Sequence, residues 1–142
     1  MKFKSKKAFT LVEMLIVIAI IAILVAVVVP TISNAMTKAH AATDAANLRS
    51  VHAKLNAELY GGKTPEECLE DYVAPTCRLD EDARMMAYYY YPAVFEIYFV
   101  SGENYYSVEY MAEMATNGET EISTAKPTDH ADGVWYNLVA AD

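Results

Sequence analysis

The chain has 142 residues, with 11 basic and 19 acidic side chains and a formal net charge of −8. That length holds one small domain plus an anchor, and such acidity argues against nucleic acid as a partner of its surface. No nucleophile–base pair stands out to support an enzyme, and no cofactor or metal is expected.

In chain order, the first element is a basic stretch, Met1–Ala8, carrying Lys2, Lys4, Lys6 and Lys7. Phe9-Thr10-Leu11-Val12-Glu13 follows, and then 24 residues, Met14–Thr37, without a charge. As a helix rising 1.5 Å per residue this run is about 36 Å long, against a bilayer core of roughly 30 Å. Glu13 is the exception inside it. A carboxylate in a spanning helix costs roughly 2.5–3.5 kcal/mol at the centre, so it needs a partner or a task. Pro30 lacks the N–H that would bond the carbonyl of Ala26, which predicts a kink or local melting there. Without residues 1–8 the chain keeps seven basic against 19 acidic side chains. A basic leader on the cytoplasmic side and an acidic domain outside fit the positive-inside rule.

The leader, FTLVE, the apolar run and Pro30 together resemble the class III signal of type IV pilins and pseudopilins. The resemblance implies that a prepilin peptidase cuts between Ala8 and Phe9 and methylates the new amine of Phe9. Ala8 stands where that family usually has Gly. It implies three regions: a leader (1–8), a membrane and filament-core helix half (9–37) and an extracytoplasmic globular domain (38–142). Glu13 lies one turn from Phe9 and would meet its own amine or that of a neighbouring subunit, marking register in a bundle. The implied partners are further copies of the chain, related pilin subunits, the peptidase and the assembly machinery. The implied location is the cytoplasmic membrane for the precursor and a surface filament afterwards. An ordinary secreted protein, cut after Ala39-His40-Ala41, and an unprocessed single-pass anchor are the alternatives.

Residues 31–60 continue as an amphipathic helix, with Ala41, Ala45, Leu48, His52, Leu55 and Leu59 on one stripe, Val51 beside it, and Asp44 off it. Gly61-Gly62 stops it. Thr64-Pro65-Glu66-Glu67 starts a short helix to about Tyr72. Cys68 and Cys77, close in sequence and outside the membrane, read as a disulfide. Strands are expected at Ala87–Tyr91, Ala93–Val100, Tyr105–Met111 and Val134–Val139, the middle two forming a hairpin across Ser101-Gly102-Glu103-Asn104. Phe95, Ile97 and Phe99 share one face of that hairpin, and Tyr106, Val108 and Tyr110 are the inward set opposite. Residues 112–132 read as irregular, and Asp129 and Asp132 as part of a solvated acidic loop too poor in oxygens for calcium. The tyrosines read as sheet packing. The order predicts an α+β fold, a long helix on a small antiparallel sheet.

Overall fold

The computed structural model describes residues 9–70, 72–90, 94–118, 126 and 133–140. The fold is α+β, with a long N-terminal helix and a small antiparallel sheet, as the sequence predicts. Helix α1 spans Leu11–Tyr60. The chain divides into two compact units, Met1–Ala35 and Met36–Asp142. The described part of the first unit consists almost entirely of α1, whose side chains there are all exposed.

The second unit has its own core. Alanine and leucine spacing puts Ala41, Ala45, Leu48, Val51, Leu55 and Leu59 on the buried face of α1. Val51 is buried and His52 is exposed, reversing the expected order at that turn. Asp44, expected off the stripe, is fully buried. The helix ends where Gly62, at φ 97°, donates to the carbonyl of Leu59 and Gly61 to that of Ala57. Helix α2, Pro65–Leu69, starts from a reciprocal Thr64–Glu67 capping box and stops short of Tyr72.

Strands β1 (Val73–Ala74), β2 (Arg84–Tyr90), β3 (Val94–Ser101) and β4 (Asn104–Tyr106) follow. Helix α3 (Val108–Asn117) and strands β5 (Val134–Asn137) and β6 (Val139–Ala140) complete the unit. The main sheet is antiparallel in the order β4-β3-β2-β5, and β1 pairs separately with β6 in parallel. Period-two alternation puts Phe95, Ile97 and Phe99 in the core with Met85 and Ala87. On the other face Trp135 lies against Tyr88, Tyr98 and Tyr105 at centroid distances of 4.7, 5.8 and 5.8 Å. These rings are sheet packing. A Cβ at Gly133 would overlap the Tyr88 ring, so only glycine fits there.

Two strand expectations are corrected. Of the segment Tyr105–Met111 only Tyr105 and Tyr106 are paired, in a strand that begins at Asn104; Ser107 then caps α3, its Oγ accepting from Tyr110 N at 3.1 Å. Val108 and Tyr110 are therefore helical, and so is part of the stretch read as irregular. Helical spacing of Val108, Met111 and Ala115 outweighs the alternation of Tyr106, Val108 and Tyr110 once Ser107 caps the turn. The last strand is interrupted at Leu138, which is buried and donates to the carbonyl of Met85 at 3.0 Å.

Candidate functional site

The functional candidates of the sequence lie at the start of α1. Phe9 precedes the helix and is 77% exposed, and Ala8 lies outside the described residues. Thr10 takes the capping position. Its N–H donates to Glu13 Oε2 at 2.6 Å and its hydroxyl to the same oxygen at 2.9 Å, while Glu13 N donates back to Thr10 Oγ1 at 3.3 Å. This is a capping box: two orphan donors of the helix start are satisfied reciprocally by a Thr-x-x-Glu pair. The Thr10–Glu13 spacing carries that signal in the sequence, though it first reads as a charge beside an amine. The box also gives Glu13 two donors within its own chain.

Beyond Glu13, the large apolar side chains from Met14 to Ile32 all face outward. The helix is long and apolar enough to cross a membrane. Pro30 lies inside α1, which is not interrupted there, so the local melting expected at this position is absent. One residue on, Thr31 Oγ1 donates to the carbonyl of Val28 at 2.7 Å.

Cys68 and Cys77 are both buried free thiols. Cys77 Sγ donates to Asp44 Oδ2 at 3.2 Å. Cys68 instead lies in the field of Glu58, Lys63 and Glu67. Asp44 and Glu58 are about 21 Å apart along a helix rising 1.5 Å per residue. The two thiols thus sit at different levels of α1, and the structure does not join the pair the sequence suggested. Burial pushes the Cys77 thiol up to about 12 and raises Cys68 as well. Such thiols are poor nucleophiles at neutral pH. A cleft of about 390 Å³ beside Cys77, walled by His40, Arg78 and Glu81, therefore offers no thiolate chemistry.

Asp44 holds this region together. It accepts from Arg78 N at 2.9 Å and Leu79 N at 2.8 Å in addition to the Cys77 thiol. His40 Nδ1 lies against the carbonyl of Arg78 one turn earlier. At the other end, Asn56 donates to Phe95 O at 3.0 Å and accepts from Phe95 N at 2.8 Å. Sequence reading missed both residues, because their partners lie 33 or more positions away.

Among the described residues no group of three or more His, Cys, Asp or Glu side chains is placed to hold a metal ion. Asp129 and Asp132 lie outside the described residues. His130 does too, and His40 and His52 line separate clefts.

No curated protein and no solved structure gives a significant match to the chain. Residues 3–29 match the family model described as the prokaryotic N-terminal methylation motif, so the chain carries the class III prepilin-type signal of type IV pilins and pseudopilins.

Proposed function

We propose that this chain is the precursor of a structural subunit of a type IV pilus or a pilus-like filament. In this reading it is cut between Ala8 and Phe9, methylated on Phe9, held in the cytoplasmic membrane by α1, and then withdrawn into a helical bundle of like helices. The single observation that carries the reading is the apolar half of α1, Leu11 to Ile32, whose large side chains are exposed along its whole length behind a methylation motif. Water does not tolerate such a surface. Lipid accepts it before assembly, and neighbouring copies of the same surface replace lipid afterwards.

Glu13 fits both stages. In the bilayer its capping box with Thr10 lowers the cost of the carboxylate. In a filament the positive amine of a neighbouring Phe9 would compete with Thr10 for the same oxygens, fixing axial register. The acidic domain from Met36 onward then forms the outer layer, and the work of the chain is assembly rather than catalysis.

The test is the intact mass and N-terminal residue of material from native membranes and sheared cell surfaces. The expected product begins at Phe9 and is heavier by one methyl group. An intact Met1 in both fractions would make the chain a plain anchor, and a start at Ala42 would make it a secreted domain.

A further inference from the structure

The cleft beside Cys77, about 390 Å³, is of the size of a ligand pocket, and its walls carry both signs of charge. Arg78 and Glu81 are exposed and line it with His40, Thr76 and Cys77. Although only three residues apart, the Arg78 guanidinium and the Glu81 carboxylate form no ion pair with each other or with another described residue. Asp44 adds no free carboxylate, since Arg78 N, Leu79 N and the Cys77 thiol occupy it. His40 Nδ1 lies against the carbonyl of Arg78, which can only accept. The ring proton is therefore on Nδ1, and the neutral imidazole keeps an acceptor at Nε2. The cleft offers donors for an anion at Arg78 and Thr76, and acceptors for a cation at Glu81 and His40.

Its level on α1 says where such a ligand is met. The charge-free run after Glu13 ends at Thr37, and Lys38 is the first charged residue beyond it. Helix α1 is continuous from Leu11 to Tyr60, so at 1.5 Å per residue His40 lies about 40 Å of helix beyond Glu13. A bilayer with its headgroups is about 40–45 Å thick. With Glu13 at one interface, His40 and the cleft beside it reach the headgroup layer of the other.

We infer that this cleft binds the headgroup of a zwitterionic phospholipid that carries a primary ammonium, that is, a phosphoethanolamine group. Its phosphate is held by the Arg78 guanidinium and the Thr76 hydroxyl, and its ammonium by the Glu81 carboxylate and His40 Nε2. An anionic headgroup would set its charge against Glu81. A quaternary ammonium has no N–H for these acceptors, and such cations are recognised by aromatic walls, whereas none of the lining residues is Tyr, Trp or Phe. The inference rests on the membrane-held precursor proposed above and needs neither cleavage nor filament assembly.

Native mass spectrometry of the full-length chain in detergent micelles tests it, with dioleoyl phosphatidylethanolamine and dioleoyl phosphatidylcholine as probes. The two lipids differ only in the methyl groups on nitrogen, so the apolar helix and the basic leader treat them alike. The ethanolamine lipid is expected to bind at least about tenfold more tightly. Glu81→Gln should bring the two lipids to within about twofold of each other, and Arg78→Gln should weaken the ethanolamine lipid at least about fivefold. Both side chains are exposed and Arg78 reaches Asp44 through its backbone, so unchanged Trp135 fluorescence shows that the fold is kept. Equal binding of the two lipids by the parent chain, or a preference that survives Glu81→Gln, overturns the inference. Free phosphoethanolamine binding as tightly as the lipid also overturns it, and makes the occupant a soluble zwitterion. Flotation with phosphatidylcholine vesicles needs only the apolar half of α1. A chain that does not float removes the membrane reading and this inference with it, whereas one that floats without the preference removes the inference alone.

Discussion

The Asp44 carboxylate is the most exacting contact in the second unit. It is fully buried, and three donors converge on it: Arg78 N at 2.9 Å, Leu79 N at 2.8 Å and Cys77 Sγ at 3.2 Å. Hydrogen bonds to a charged group contribute about 1.5–3 kcal/mol each, and a buried donor left alone costs about 1–3 kcal/mol. Arg78 is exposed and its N–H can turn to water, whereas Leu79 and Cys77 are more enclosed. The weak thiol donor counts for less. Asp44→Ala should therefore destabilise the domain by about 3 kcal/mol. Asp44→Asn keeps the volume but turns an amide N–H toward a donor, for about 2 kcal/mol. With a urea slope of about 1–1.5 kcal/mol per molar for a unit of this size, the midpoint should fall by roughly 2 M for the alanine variant. The assay is urea denaturation of the full chain in a mild detergent, read by the fluorescence of Trp135, the single tryptophan. A fall below about 0.5 M for Asp44→Ala, or an Asn variant equal to the parent, would refute the claim that this carboxylate fastens the 77–79 loop.

Asn56→Leu removes both bonds to Phe95 and leaves two strand groups unpaired, so it should cost about 2 kcal/mol and lower Tm by roughly 8–16 °C, read by circular dichroism. Burial raises Cys68, Cys77, Tyr72, Tyr106 and Tyr110, so their folded-state values lie above the unfolded ones. The folded chain then holds more protons in alkali; its stability is intact below the ordinary thiol value of 9.0 and should decline as pH rises toward about 12. Denaturation midpoints that rise over this window would contradict that sign. Iodoacetamide should label neither cysteine of the native chain and both cysteines of the unfolded one without reductant, by intact mass; unlabelled thiols in urea would restore the disulfide.

The sequence makes the long helix, its glycine stop, the Thr64 cap and the core face of β3 legible, because each is a local pattern with one period or one cap behind it. Helix α3 is less legible, since Tyr106, Val108 and Tyr110 alternate like a strand while Val108, Met111 and Ala115 recur like a helix. Ser107 decides between them through a single hydrogen bond to Tyr110 N. Asp44 and Asn56 are illegible for another reason. On a helical wheel they look like polar residues beside the apolar stripe, and only the loop and strand that fold against them explain their burial. The methylation motif is legible in full, but the capping role of Glu13 within it is hidden by the more conspicuous question of its charge.

The buried face of α1 explains why such polar residues are needed. Ala41 and Ala45 allow close approach but have little relief, and a smooth alanine surface resists axial sliding poorly. Polar contacts along the helix supply what packing lacks: Lys38 donates to Thr116 O at the end of α3, Asp44 holds the 77–79 loop, and Asn56 holds the β3 edge. Each fixes a different element to a different turn, so together they specify one register. Asp44 and Asn56 are about 18 Å apart along the helix and share no partner. If they act as independent fasteners, the double variant Asp44→Ala/Asn56→Leu should lose the sum of the single losses, about 5 kcal/mol, to within about 0.5 kcal/mol. A loss in the double variant equal to the larger single loss would instead mean that releasing either end lets the whole helix slip, and the two residues would then be one cooperative lock.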